Sequence, residues 1–438
     1  MRKLITILLA VLITQTIVAQ EVLKLSLNEA ISIGHKNSKQ LQLDSLKIQA
    51  LEFKKKQTQN AMIPVIAVQS SYTRLSDNIE PFVISIPGLG SHSINTNIPN
   101  QYNNRVSVQQ PIFQGLRNWN TLKAINEQKN ATQFEQEKNA QDLSLSIVQA
   151  YYSLFKMQQT KILLDSTIAR TQVRVDDITK FKEAGLVLNN DVMRAELQKN
   201  NFQITRADVE SNIDVLNYNL CILLGINPAT KIEVNKPEAV VNSSISIDNL
   251  IASSMIDRPE LKIQKHKNKY ADYMVKASRS AYMPTISAIG NGVYSNPNQR
   301  VFPPEAKFKA TWDVGIILSW NIMQLYTARA IVGEAKNQKA QILKVTEQIN
   351  DGIAMEVNAN NEAVKVSLSK IELAQKAIEQ ATENKRILDN RFQAQVALLS
   401  DVLEADQLLL QAQANLLNAQ ADAMIAKYKL ECSLGTIK

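Results

Sequence analysis

Residues 311–320 read TWDVGIILSW, and their alternation decides the fold. Trp312, Val314, Ile316, Leu318 and Trp320 alternate with Thr311, Asp313, Gly315, Ile317 and Ser319. A side-chain period of two, apolar on one face and mostly polar on the other over about ten residues, is the pattern of a membrane β-barrel strand. Val106 and Val108, set against Ser107 and Gln109, repeat it. Two more segments carry it weakly: Ile66, Val68, Ser70 and Tyr72 alternate in part, and Gly290 and Gly292 dilute another. Strands are therefore expected at about 65–74, 105–113, 284–295 and 308–320, each pair bracketing a polar loop. Tyr72, Tyr294, Trp312 and Trp320 fall near strand ends, where amphipathic rings suit a membrane–water interface.

The strands belong to two copies of one unit. Leu186 to Glu196 reads LVLNNDVMRAE, and 210 positions later Val396 to Asp406 reads VALLSDVLEAD. The same offset sets Leu224-Gly225 on Leu434-Gly435, and Ile112 and Gln114 on Ile322 and Gln324. Nearer the start of each half it is 220, placing Pro64 on Pro284 and Leu41 on Leu261. The first half thus has ten extra residues between Pro64 and Pro111. The period is far too long for a solenoid.

Long helices fill the rest. Residues 116–184, 186–224 and 353–434 contain neither proline nor glycine, as expected of very long helices. At 1.5 Å per residue, the first of these runs would reach roughly 100 Å. Leu143, Ile147, Ala150, Leu154, Met157, Lys161, Leu164, Ile168, Thr171, Val175 and Ile178 follow steps of four and three, a coiled-coil seam. The last helix, with ADQLLLQAQANLLNAQADA at 405–423, is rich in small residues that let helices approach and in amides that keep a wet face uncharged. Helical spacing alone equally fits a coiled-coil rod; the strands speak against one. Four strands cannot close a membrane barrel, since the smallest have about eight. The chain must pool strands with copies of itself, and three copies would supply twelve.

Composition removes other classes. Met1-Arg2-Lys3, an apolar run from Leu4 to Val18 and then Ala19-Gln20 are expected to form a signal peptide over 1–19, too short for a comfortable membrane anchor. No later stretch of eighteen apolar residues offers a transmembrane helix. Cys221 and Cys432 are too few and too far apart for a disulfide framework. The net charge of +8 is spread evenly, so nucleic acid is not an expected partner. His35, His92 and His266 lie far apart, and no His, Cys or carboxylate constellation has catalytic spacing. No metal, cofactor or enzymatic activity is expected.

These stretches resemble the TolC-type outer-membrane efflux protein family over about 24–438. The resemblance is carried by LSLNEAISIGHKNSKQL (25–41), MIPVIAVQSSY (62–72), VSVQQPIFQGLRN (106–118), AGLVLNNDVMRAE (184–196), LLGINP (223–228), DRPEL (257–261), YMPTISA (282–288) and LLSDVLEADQLLLQAQANLL (398–417). It implies a mostly α fold with a membrane β-barrel. In it, long antiparallel helical hairpins form a trimeric α-barrel tunnel, and four strands per chain contribute to a twelve-stranded β-barrel in the outer membrane of a Gram-negative bacterium. It also implies docking onto a periplasmic adaptor (membrane fusion) protein and an inner-membrane pump. The chain would then be a passive exit duct of a tripartite efflux or type I secretion system, with cargo chosen by pump and adaptor.

The two repeats are expected at 20–230 and 247–438, joined by a linker at 231–246, with hairpin tips near 182–192 and 392–402. At the first tip Gly185 permits the turn, while Leu186 and Val187 would be exposed. The second tip, Val396-Ala397-Leu398, lacks a glycine, which leaves its turn open. By the resemblance these tips dock the adaptor; tip-to-tip packing within a trimer is the bland alternative. Asp401 and Glu404 match the stretch that lines the family's periplasmic aperture, where threefold carboxylate rings would favour cations. Asp401-Val402-Leu403-Glu404 also fits a capping box opening the last helix; Asp191, the corresponding residue of the first repeat, is the third aperture candidate and is open to the same capping reading. Two other classes compete. A secreted trimeric coiled-coil stalk or adhesin would need no barrel alternation, and an adaptor would need a lipoyl-like module that 186–224 does not contain.

Overall fold

The computed structural model describes residues 22–80, 82–94, 98–235, 246–302 and 304–437; the signal-peptide segment 1–19 and most of the 231–246 linker lie outside them. In chain order the elements are β1 (Val22–Leu25), α1 (Leu27–Asn37), α2 (Lys39–Asn60), β2 (Val65–Arg74), β3 (Phe82–Ile86), β4 (Gly90–Ile94), β5 (Asn100–Phe113), α3 (Arg117–Glu183) and α4 (Asn189–Leu224). There follow β6 (Lys231–Val234), α5 (Ile247–Asp257), α6 (Pro259–Ser278), β7 (Thr285–Asn296), β8 (Lys309–Ser319), α7 (Ile322–Gln393) and α8 (Leu399–Ser433). The duplication shows in these boundaries. Helices α1 and α2 and strand β2 start 220 residues before α5, α6 and β7, while α4 starts 210 residues before α8.

The described residues form two compact units, one drawn from those within Met1–Ser45, Phe134–Leu261 and Gln348–Lys438, the other from those within Leu46–Gln133 and Lys262–Glu347. In the first, Ile147, Tyr151, Leu154, Leu220 and Leu224 centre the main core. No residue of the seam is exposed: Ile147, Leu154, Leu164, Thr171, Val175 and Ile178 are buried and the others half-buried. Strands β1 and β6 pair in parallel, Val22 opposite Lys231 and Leu25 opposite Val234. The buried Tyr151 hydroxyl donates to the Leu25 carbonyl and accepts from the Asn235 N–H, both at 2.9 Å. Residues 231–234, assigned above to the linker, are therefore a strand. Four residues are too few to show alternation, and the partner strand lies at the other end of the repeat.

Helix ends in this unit close with tight packing. Gly225 takes φ 65°, and a Cβ there would lie 2.7 Å from the Asn37 Cβ, so only glycine fits the approach of α4 to α1. Arg258 of the DRPEL stretch is buried and donates to Glu356 at 2.5 Å and to Glu260 at 3.2 Å. Cys221 and Cys432 are free and buried. Burial pushes the Cys432 thiol up to about 11, so it serves as a packing group with little thiolate.

In the second unit β2, β5, β7 and β8 form one sheet in that order, antiparallel throughout. Strand β5 starts at Asn100, upstream of the expected 105, because its polar first residues pair with the far end of β2. The extra residues of the first half hold a small hairpin, β3 paired with β4, which the sequence pattern did not announce. Helix α7 begins well upstream of the glycine-free run and passes through Gly333 and Gly352. No described helix is long and apolar enough to cross a membrane.

Candidate functional site

The register of the sheet gives it two unlike faces. Ile66, Val108, Gly290 and Val314 lie in line across it, as do Val68, Val106, Gly292 and Trp312. The alternate rows, Ala67–Ser107–Asn291–Asp313 and Gln69–Arg105–Val293–Thr311, make the other face. The apolar face is bare: Val68, Trp312, Val314 and Ile316 are each about three-quarters exposed, at 77%, 76%, 74% and 74%. Among the described residues of the single chain, both edges, β2 and β8, have one side unpaired.

Aromatic rings gather at one end of the apolar face. Tyr72 packs on Tyr102 at 5.0 Å between centroids, and Phe308 lies 5.8 Å from Tyr102 and 5.0 Å from Tyr294. Tyr72 and Tyr294 were expected there; Tyr102 and Phe308 were not, since only the register sets them beside the others. Trp312 stands one row inside this cluster. Trp320 follows eight residues later, about 27 Å of strand, close to the roughly 25 Å height of a barrel's apolar band.

In the other unit the two tips close by the same motif. At the first, the Leu186 N–H donates to the Phe181 carbonyl at 2.8 Å and the Gly185 N–H to Lys182 at 2.9 Å, with Gly185 at φ 75°. At the second, the Val396 N–H donates to Arg391 at 2.8 Å and the Gln395 N–H to Phe392 at 2.9 Å. Gln395 adopts φ 59°, filling the left-handed position without a glycine. Both are Schellman-type helix ends, so the turn left open above is the same at both tips. Leu186 and Val396 are exposed, and so are Leu188 and Leu398, at 74% and 69%. Val187 was expected to be exposed, but it packs against Val175, Ile178, Val192, Ala195 and Leu399, and its equivalent Ala397 is half-buried. The segment leaving each turn is extended, so consecutive side chains point alternately outward and inward; Leu188, not Val187, is the second exposed group.

The acidic candidates sit just after these turns. Asp191 and Asp401 are the third residues of α4 and α8, whose N-caps are Leu188 and Leu398. The Asp191 carboxylate accepts the Leu188 N–H at 3.1 Å and so caps its helix. Asp401 accepts from the Ser400 hydroxyl at 3.3 Å. The capping box with Asp401 as N-cap does not form, because the N-cap of α8 is the extended Leu398, three residues earlier. Asp401 is half-buried and Glu404 is exposed one turn on, along the same side of α8.

Beside them lies a charge cluster that the sequence did not reveal. Arg174 of α3 reaches Asp389 of α7 at 2.7 Å and Asp406 of α8 at 3.3 Å. Lys385 pairs with Asp389 at 3.0 Å and also with Asp406. Burial by itself would raise the Asp389 pKa, but the Arg174 and Lys385 hydrogen bonds and charges outweigh it and hold the carboxyl below its usual range. Only Lys385–Asp389, at i,i+4, was legible in the sequence.

A sheet with a bare apolar face, joined in sequence to paired long helices with exposed apolar tips, is the material of a membrane channel. The chain matches the family model described as outer membrane efflux protein over residues 31–225 and 250–436. It belongs to the outer membrane efflux protein family. Outer membrane efflux protein BepC of Brucella suis biovar 1 (strain 1330) is 21% identical over 334 residues, 74% of this chain and 70% of that one. The outer membrane protein VceC from Vibrio cholerae shares the fold at a TM-score of 0.76 and 17% identity, over 93% of this chain and 96% of that one. The Campylobacter jejuni CmeC outer membrane channel does so at 0.78 and 16%, over 94% and 85%. Family membership makes this chain an efflux channel protein of the outer membrane. The stalk, adaptor and enzyme readings fall with it.

Proposed function

We propose that this outer membrane efflux protein is the passive exit duct of a tripartite efflux system, three chains closing one twelve-stranded barrel with a twelve-helix periplasmic tunnel. The observation that carries the reading is the two-faced sheet with both edges unpaired. Because β2 and β8 are separated by three antiparallel pairings, they run in opposite directions. Strand β8 of one chain can therefore take β2 of the next as an antiparallel neighbour, and closure leaves no bare edge. A type I secretion pump could use the same duct, since the pump supplies the energy and chooses the cargo.

In this reading residues 20–230 and 247–438 are two structural repeats, and each contributes one hairpin tip. Gly185, Val187 and Ala397 shape the turns. Leu186, Leu188, Val396 and Leu398 offer apolar groups to a periplasmic adaptor, which couples the duct to an inner-membrane pump. Asp401 and Glu404, repeated by threefold symmetry, ring the periplasmic aperture and favour cations. Asp191, which already caps its helix, lies at the equivalent place in the first repeat. The test is the reversal potential of the purified protein in planar bilayers under a KCl gradient. Asp401→Asn combined with Glu404→Gln is expected to lower cation preference severalfold. An unchanged reversal potential would reduce both residues to helix-end structure.

A further inference from the structure

The polar face of the sheet carries charge of the opposite sign. Among its positions on the four strands, Arg105, Lys309 and Asp313 are the charged residues. Lys309 is neutralised by Glu305 at 2.7 Å. Asp313 is neutralised by Arg300, which reaches it at 2.6 Å from the β7–β8 loop, and its second oxygen accepts from Asn291 at 2.8 Å. The start of that loop is anchored to β8. The buried Asn298 donates to the Lys309 carbonyl at 2.9 Å and to the Thr311 hydroxyl at 3.2 Å, and accepts the Arg300 N–H at 3.0 Å. Arg105 has no hydrogen-bond acceptor or ion-pair partner among the described residues, and its charge reaches Asp313 only at longer range. It is also exposed on the single chain.

We propose that Arg105 builds a second selectivity element in the barrel, a ring of three unpaired guanidiniums that favours anionic groups on the cargo, such as carboxylates and phosphates. The inference rests on the trimeric-pore reading. Closing the barrel with the apolar face toward lipid turns the Arg105 face toward the lumen. There a low-dielectric wall and the neutralisation of Asp313 by Arg300 leave the Arg105 charge to act on passing solutes, and rings of Arg or Lys select anions in this way. The guanidinium also offers a bidentate fork that matches carboxylate and phosphate oxygens. The pore would then carry a cation-favouring ring at the tips and an anion-favouring ring in the barrel. Cargo with groups of both signs would meet a complementary charge at each.

The experiment compares full-length wild type, Arg105→Gln and Arg105→Glu in planar bilayers under a KCl gradient, each also in the Asp401→Asn, Glu404→Gln background. Because the Arg105 side chain has no hydrogen-bond acceptor or ion-pair partner among the described residues, these variants are expected to assemble normally. The cation-to-anion permeability ratio should rise by roughly a factor of two for the neutral variant, the scale of one screened charge a few ångströms from the path, and further for the reversed charge. The graded shift should persist in the second background. Conducting channels whose reversal potential is the same for all three side chains would overturn the proposal. A wild-type protein that never conducts would overturn the pore reading and this inference with it.

Discussion

Gln395 shows how much a single backbone angle decides. The two tips share one hydrogen-bonding motif, yet the first uses glycine at φ 75° and the second glutamine at φ 59°. A residue with a Cβ in the left-handed region carries a penalty of about 1 kcal/mol or slightly more. Gln395→Gly is therefore expected to stabilise the second tip by about 1 kcal/mol, and Gly185→Ala to destabilise the first by at least that much. Slower limited proteolysis at the second tip and faster cleavage at the first would show it; equal rates would remove the strain argument. The turn itself was legible at Gly185 and illegible at Gln395, because glutamine, unlike glycine or asparagine, gives no signal of a positive φ. Its equivalence followed only from the 210-residue offset and the observed φ. The N-cap of α8 lies three residues before Asp401 for a related reason: leucine is a poor N-cap, so the preference for Ser, Thr, Asp or Asn points to the next acidic residue instead.

Strands and helices were read with unequal success. Strand β8 was plain because its apolar residues alternate without interruption, whereas β1, β6 and the β3–β4 hairpin are four or five residues long and carry no period. The sheet makes a prediction that depends on register. Val314 lies mid-strand on the bare face, and Ser107 lies on the opposite face. A lysine in place of Val314 should cost about 2–4 kcal/mol and reduce assembled protein sharply, as for a cation near the bilayer midplane, while Ser107→Lys should assemble almost normally. The measurement is the yield of folded protein in outer-membrane fractions. Equal tolerance at the two positions would mean that the apolar face does not meet lipid. The helical seam was legible from spacing, since steps of four and three put its residues on one stripe. The Arg174–Asp389–Lys385–Asp406 cluster was not, because it joins three helices that are adjacent only after folding.

At the scale of the molecule, a single chain of 49.0 kDa brings four strands, β2, β5, β7 and β8, to its main sheet, too few to close a membrane barrel by itself. The protein extracted from outer membranes should need detergent. Without heating, it should run in SDS at roughly three times the chain mass, since a closed barrel has no edge from which to unzip. Boiling should collapse it to the single-chain band. A detergent-free, water-soluble single chain would contradict the barrel reading outright.

The fold class, the duplication, the long helices and the lipid-facing alternation were all set by the order of residues, because each depends on a local period or on an offset within the chain. Tertiary structure alone decided which apolar tip residues stay exposed, where α8 begins, how the Arg174 cluster forms and why Arg105 has no ion-pair partner among the described residues. These depend on distances between residues far apart in the chain, and a periodicity carries no information about which distant side chain arrives opposite.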